Sequence, residues 1–184
     1  MYVRNILLSK KKLILFVVTF IISTFTAIRI FGIDRDYYNY QKFFQKLSSG
    51  DYNSRFEPGF ELFTSAFLTF FGSSSFVLFL FILAFISLYL KFSILQNLKN
   101  FFLLTLIYIM LILPLYEMMQ VRIALATSVM YFALYKSTHS GMNLLKRITI
   151  VIVGVSIHYS VIILAPFIIF ERIQTMESDS RWSL

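Results

Sequence analysis

The sequence has no cysteine among its 184 residues. Disulfide bonds, thiolate metal sites and a cysteine nucleophile are therefore excluded. Proline occurs only three times, and only 14% of the residues are charged. So few charges cannot cover the surface of a soluble domain of this size, which indicates that much of the surface faces lipid.

Long apolar runs make up most of what is there. The chain is 58% hydrophobic with a mean hydropathy of +0.76. We predict an all-α membrane protein with one helical membrane domain over residues 1–170 and a polar tail over 171–184. About five transmembrane helices are expected, at 13–31, 76–95, 101–116, 118–135 and 148–170. An outer loop is expected over 32–57. A helix over 59–72 is too short to span, so we expect it to lie in the interface.

The distribution of charge predicts the orientation of these spans. Segments 1–12, 91–100 and 136–147 hold nine of the 17 Lys and Arg residues and none of the nine acids. The positive-inside rule therefore assigns them, and the amino terminus, to the cytoplasm. Every acid, including Glu117, is expected at or beyond the outer boundary. Lys136, His139 and Arg147 are expected in a solvated inner loop. The net charge of +8 then reflects the inner loops, and we expect no nucleic-acid partner.

Arg122 is the first candidate for a functional residue, because an arginine at the centre of a membrane helix costs about 2.5–3.5 kcal/mol. A guanidinium binds phosphate oxygens bidentately, and the Gln120 amide can bind a sugar hydroxyl. Two residues correspond to roughly 200° of a regular helix. Either Gln120 lies at an unwound helix start, or the two side chains serve different groups. The alternative is that Arg122 only extends to lipid headgroups.

Three further positions carry candidate chemistry. His158, in the predicted fifth span, could carry a proton or bind sugar or phosphate, or it could make an interhelical hydrogen bond. Asp34 and Asp36 are candidates for a general base or for binding sugar hydroxyls, or they belong to a solvated loop. Glu57 precedes Pro58, and its first interpretation is as the residue that starts a helix. We expect no metal and no cofactor, since neither ligand spacing nor a nucleotide motif is present.

Four short motifs occur in one order along the chain. They are Asp36, Tyr37 and Tyr40; Glu57, Pro58, Gly59 and Phe60; Gln120, Arg122, Leu125 and Ala126; and Ile157, His158, Ser160 and Pro166. In this order the motifs resemble the EpsG-like family of Wzy-type membrane polysaccharide polymerases. The resemblance implies a helical bundle like that of GT-C glycosyltransferases. Members usually have about twice as many spans, so we expect this chain to correspond to the amino-terminal half or to a shortened form.

The resemblance also implies an activity, which is extracytoplasmic joining of repeat units carried on undecaprenyl pyrophosphate into capsule, O-antigen or exopolysaccharide. As hypotheses, Arg122 neutralises the pyrophosphate, and Asp36 or else His158 deprotonates the acceptor hydroxyl. The substrate-binding residues are then Asp34, Tyr37, Tyr40, Glu57, Gln120 and Ser160. The expected partners are the lipid-linked oligosaccharide, the bilayer of the bacterial cytoplasmic membrane and other polysaccharide export proteins.

Two other functions use the same residues. A transporter or flippase of lipid-linked sugar could line its path with them. Against it, the apolar runs of the first three spans (13–31, 76–90 and 101–116) hold no acid or base apart from Arg29 at an edge. An inactive membrane scaffold is the third possibility.

Overall fold

The computed structural model describes residues 2–28, 35–51, 55–140 and 142–169. Within these ranges the chain is helical and contains no strand, which confirms the predicted all-α class. The helices are α1 (Tyr2–Ala27), α2 (Arg35–Ser48), α3 (Pro58–Phe71), α4 (Phe76–Leu95), α5 (Phe101–Ile107), α6 (Val121–Ser140) and α7 (Leu144–Ile157). A 3₁₀ helix follows at Tyr159–Leu164, and residues 165–169 are again α-helical.

The helix α4 lies at the centre of the bundle. It packs along α1 on one side and α6 on the other, and α6 packs in turn on α7. Phe79 and Leu83 of α4 share one apolar cluster with Val121 of α6, and Ser87 Oγ lies 2.7 Å from Ser128 Oγ further along both helices. These matched contacts mean that α4 and α6 run in the same direction. Val121 and its neighbour Arg122 therefore lie towards the end of the bundle where α4 begins.

The membrane spans can be compared with the described helices by length and composition. One of these helices, Phe76–Leu95, is long and apolar enough to cross a membrane. Shorter apolar helices occur at Lys12–Ala27, Phe101–Ile112 and Tyr159–Ile169. Large apolar side chains are widely exposed, with Phe70 and Phe102 more than four-fifths accessible. Such a surface is typical of contact with lipid or a partner, and the number of spans stays a prediction.

The segment 32–57, expected as an outer loop, contains the helix α2, and its side of the membrane stays a prediction. The buried side chains of α2 are Tyr40, Phe43, Phe44 and Leu47. Their spacing is that of one helix face, and the face packs against rings that include Phe60. Asp34 and the tail from residue 170 lie outside the described residues.

The short helix expected over 59–72 is present as α3. Pro58 occupies its first turn, where the missing N–H costs no hydrogen bond. At its end, Gly72 has φ +77°, a conformation that glycine adopts at little cost. The interfacial position of α3 stays a prediction.

The segment after α5 departs from regular α-helix. It continues as two π-helical stretches, Tyr108–Ile112 and Pro114–Met119, and ends at Gln120. Pro114 has no N–H to donate, which weakens the regular i→i−4 pattern there. From Phe101 to Met119, the buried residues are Tyr108, Leu113 and Glu117.

Three charged residues are not where the sequence analysis expects them. Lys91, expected in an inner loop, belongs to α4 and is buried. Glu117, expected at the outer boundary, is fully buried and pairs with Lys91 at 2.6 Å. Arg147, expected in solvent, is buried and donates to the carbonyl oxygens of Met142 (2.9 Å) and Ile168 (3.2 Å). Each charge is tolerated inside the bundle because a partner satisfies it.

Candidate functional site

Arg122 lies in the first turn of α6, directly after a break in the chain. Gln120 has φ −111° and ψ 57°, which ends the preceding helix, and α6 begins at Val121. The first alternative for this pair is therefore correct, since Gln120 is at an unwound helix start. Its side chain is exposed. Because of this break, Arg122 belongs to a new helix, and the direction of its side chain follows that of α6.

Aromatic rings and one carboxylate surround the Arg122 guanidinium. Its Nη1 forms an ion pair with Oε2 of Glu57. The guanidinium carbon lies 4.3 Å from the centre of the Phe56 ring, and 5.8 Å and 5.7 Å from those of Tyr40 and Phe60. These distances fall within the range of cation–π attraction. The Nε atom is buried without a hydrogen-bond partner among the described residues.

Glu57 joins the two basic residues that the sequence analysis singles out separately. It precedes Pro58 with extended backbone (φ −67°, ψ 144°), and its side chain is buried. While Oε2 pairs with Arg122, Oε1 lies 2.6 Å from Nδ1 of His158. The ring nitrogen is in contact with the carboxylate, although its N–H is not aligned for a full hydrogen bond. Glu57 is thus the centre of a three-residue cluster, rather than only the start of a helix.

His158 reaches this cluster because the helix around it is interrupted. The helix α7 ends at Ile157, His158 is extended (φ −157°, ψ 120°), and a 3₁₀ helix begins at Tyr159. The predicted fifth span around His158 is therefore interrupted at His158, and its place in the membrane stays a prediction. The interruption points its ring towards the start of α3 instead of leaving it on a regular helical face.

Gly59 allows α3 and α7 to approach closely enough for this contact. A Cβ placed on Gly59 would fall 2.7 Å from Cβ and 2.8 Å from the carbonyl carbon of Ser156, and still closer to its hydroxyl oxygen. Real Cβ atoms do not make such contacts. Only glycine at this position lets the first turn of α3 lie against α7, two residues before His158.

A cavity of about 540 Å³ opens beside Arg122. Its charged lining comprises four cations and one carboxylate. The lining residues are Asp36, Asn39, Tyr40, Lys42, Phe43, Lys46, Arg55, Phe56 and Arg122. Glu57 and His158 are not among them, so they lie behind Arg122 as seen from the cavity. The excess of positive charge suits an anionic ligand.

Tyr40 is the aromatic residue of the cavity with a titrating hydroxyl. Burial raises the pKa of Tyr40, and the nearby Arg122 guanidinium offsets part of that rise. Since an ordinary tyrosine titrates only near pH ~10, the Tyr40 hydroxyl is protonated at neutral pH. It can therefore donate a hydrogen bond to a bound oxygen.

The remaining predicted site residues are not brought into the cluster. The ring of Tyr37 packs on Phe76, with centroids 5.4 Å apart, and supports α2 rather than lining the cavity. Ser160 is exposed on the 3₁₀ helix. Among the described residues, no group of three or more His, Asp or Glu is placed to hold a metal ion.

Sequence reasoning missed Lys42, Lys46, Arg55 and Phe56. Each residue of α2 that lines the cavity has another lining residue three or four positions away, from Asp36 to Lys46. That spacing is the signal of a helix face. It was overlooked because the segment was interpreted as a polar loop.

The fold and the site define an all-helical protein in which a carboxylate joins an arginine and a histidine beside a basic cavity. The sequence model of the EpsG family matches residues 12–177. The chain belongs to the EpsG family, as its motifs predict. Membership indicates a membrane protein connected with polysaccharide biosynthesis. No curated protein and no solved structure matches the chain significantly.

Proposed function

We propose that this protein polymerises oligosaccharide repeat units carried on undecaprenyl pyrophosphate, at the outer face of the bacterial cytoplasmic membrane. The observation that carries the proposal is Arg122, which lines a basic cavity while Glu57 and three aromatic rings hold its guanidinium. Family membership supports polysaccharide biosynthesis, and the site supplies the chemistry proposed for this reaction.

The leaving group of this reaction is a lipid-linked pyrophosphate. As the glycosidic bond to phosphate breaks, negative charge grows on the oxygen that departs. Arg122, Lys42, Lys46 and Arg55 line one cavity and can stabilise that charge. Arg122 is the fixed member of the set, because Lys42, Lys46 and Arg55 are exposed.

Asp36 is the better candidate for the base. It lines the same cavity as Arg122, whereas His158 contacts Glu57 behind it. In the proposed step, the carboxylate takes the proton from an acceptor sugar hydroxyl, and the hydroxyl oxygen bonds to the anomeric carbon of the donor. The bond from that carbon to the phosphate oxygen breaks, and lipid pyrophosphate leaves with the electron pair. His158 and Glu57 then orient Arg122.

Deletion of the gene in its bacterial host, followed by analysis of surface polysaccharide length, tests the proposal. We expect long chains to disappear while single repeats remain. Loss of all exported sugar would instead indicate a transporter, whose case is stronger now that Lys91 and Glu117 lie inside the bundle. An unchanged length distribution would favour the alternative that the protein is an inactive membrane scaffold.

Complementation with variants tests the role of Arg122. Arg122→Gln should fail to restore long chains. Arg122→Lys should also be impaired, because lysine keeps the charge but loses the planar fork and its stacking on Phe56. Lys99→Met is a matched control, since it removes an exposed cation outside the cavity. Normal polymer from Arg122→Lys would contradict the proposed role of the fork.

A further inference from the structure

A second polar cluster lies in the bundle away from the cavity. Lys91 Nζ lies 2.6 Å from Oε1 of Glu117. The same oxygen accepts hydrogen bonds from the Ser87 hydroxyl (2.9 Å) and the Tyr108 hydroxyl (2.7 Å). Glu117 is fully buried, and Lys91 is almost so. We call Ser87, Lys91, Tyr108, Glu117 and Ser128 the buried polar cluster.

The π-helical turns are what bring Tyr108 and Glu117 together. In an α-helix of 3.6 residues per turn, nine residues amount to about two and a half turns, which places the two side chains on opposite faces. The wider i→i+5 turns between them bring both onto the side facing α4. This segment is therefore attached to the bundle by the polar contacts of Tyr108 and Glu117 and by the apolar packing of Tyr108 and Leu113.

The buried polar cluster also holds the first turns of α6. Lys91 Nζ donates to the carbonyl oxygen of Ala124 (3.2 Å), two residues after Arg122. Ser128 Oγ lies 2.7 Å from Ser87 Oγ and donates to the same Ala124 carbonyl (2.6 Å). Glu117 precedes the Gln120 break, and Ala124 follows it. Both sides of the break are thus fixed to α4 by one lysine.

We propose that Lys91 and Glu117 are positioning residues that set the direction of Arg122. The backbone at Gln120 is not helical, so α6 does not simply continue the direction of the helix before it. The buried polar cluster supplies that direction by tying Glu117 and Ala124 to α4. This proposal rests on the proposed function, in which Arg122 must meet a pyrophosphate at a fixed place. Displacement of α6 by a fraction of an ångström would move its guanidinium away from Glu57.

The test removes both charges at once, because loss of one partner leaves an uncompensated buried charge and can prevent folding. In Lys91→Met/Glu117→Leu, Ser87 still bonds to Ser128, and Tyr108 lines a neighbouring cavity of about 660 Å³. The full chain is purified in lipid nanodiscs, and its binding of inorganic pyrophosphate is measured by calorimetry. We expect a near-normal melting temperature and about tenfold weaker binding, the loss of one charge-assisted contact. Lys99→Met is the control and should bind normally.

A second measurement does not depend on the proposed function. The native chain has no cysteine, so a single introduced cysteine can be labelled with a maleimide. Gln120→Cys places it at the break, and Ser49→Cys, at an exposed position, is the control. Adding Lys91→Met/Glu117→Leu should speed labelling at position 120 several-fold and leave labelling at position 49 unchanged. If unmodified protein neither binds pyrophosphate nor makes polymer, the proposed function fails while this labelling still tests the positioning role.

The result that overturns the positioning role is a folded Lys91→Met/Glu117→Leu protein with normal labelling at position 120. Normal pyrophosphate binding would overturn it as well. If the double variant does not accumulate, Ser87→Ala replaces it, because this change keeps both charges and removes one link between α4 and α6. In Ser87→Ala we expect a smaller change in pyrophosphate binding and in labelling at position 120. If neither measurement changes, the proposal is refuted.

Discussion

Replacement of Gly59 by alanine should weaken the contact between Glu57 and His158. In an open helix, the change from glycine to alanine stabilises by about 1 kcal/mol. At this position the new methyl group would lie 2.7 Å from Cβ and 2.8 Å from the carbonyl carbon of Ser156. The carbonyl carbon belongs to the backbone and cannot rotate away. The first turn of α3 must therefore move away from α7.

The size of that movement follows from ordinary packing. Close contacts of a Cβ begin near 3.4 Å, so the start of α3 must shift by roughly 0.6 Å or more to relieve the overlap, at about 1–3 kcal/mol. The contact between Glu57 Oε1 and His158 Nδ1 is 2.6 Å. A shift of that size lengthens it to about 3.2 Å, the outer end of the hydrogen-bond range. His158 then supports Glu57 more weakly in holding Arg122.

The assay combines melting temperature with polymer length in the deletion host. Gly59→Ala should lower both. Ser156→Gly in the same chain removes the side chain of Ser156 but leaves its backbone carbonyl carbon 2.8 Å away, so it should restore part of each. The matched control is Gly154→Ala, whose methyl group would meet Met130 Sδ at 2.8 Å. That flexible side chain can move, and polymer length should stay normal.

One outcome would refute this reasoning. If Gly59→Ala keeps normal stability and makes normal polymer, then close approach of α3 to α7 is not what the site requires. If Gly154→Ala impairs polymer equally, the effect comes from general packing and not from the contact between Glu57 and His158.

Three further predictions concern single side chains. Phe56→Leu removes the ring beneath the Arg122 guanidinium and should weaken calorimetric pyrophosphate binding several-fold, since cation–π contacts contribute about 0.5–2 kcal/mol. Arg147→Met should lower the melting temperature by leaving the Ile168 carbonyl without its donor, at about 1–3 kcal/mol, while pyrophosphate binding stays normal. Because burial raises the pKa of Tyr40, the folded protein holds that proton more tightly than the unfolded chain does. Tyr40 thus contributes to the free energy of unfolding at neutral pH, and this contribution is lost as pH rises above ~10. In Tyr40→Phe, the free energy of unfolding measured by chemical denaturation should decline less over that pH range.

Each of these has a contrary result. Unchanged pyrophosphate binding in Phe56→Leu would mean that the ring does not hold Arg122. Weaker binding in Arg147→Met would link that end of α7 to the site. An equal decline of stability above pH ~10 in Tyr40→Phe would assign the effect to other tyrosines.

The sequence was sufficient for the helical class, and it singled out Arg122, Glu57 and His158 as separate candidates. Arg122 and Glu57 border apolar runs, and His158 lies within one. Their meeting could not be derived from the chain alone, since it depends on a helix break at His158 and on the close approach at Gly59. Both features are tertiary, and neither leaves a periodic signal.

Buried charge was the main source of error. Lys91 follows an apolar run, so the sequence places it in a loop, although it pairs with Glu117 inside the bundle. The pairing needs π-helical turns to bring Glu117 and Tyr108 to one side, and a helix of ordinary pitch would not predict it. α2 was missed for another reason, since its polar residues concealed an apolar face that includes Phe43 and Phe44.

The ion pair between Glu57 and Arg122 has a consequence for how the chain is made. The two residues are 65 positions apart, and His158 comes later still. On a ribosome, α3 and the carboxylate before it emerge well ahead of the cation that neutralises them. Until α6 arrives, that carboxylate has no Arg122 to pair with. The helices α6 and α7 therefore complete the three-residue cluster, and a nascent chain halted before Val121 carries every part of α3 but lacks the Arg122 guanidinium.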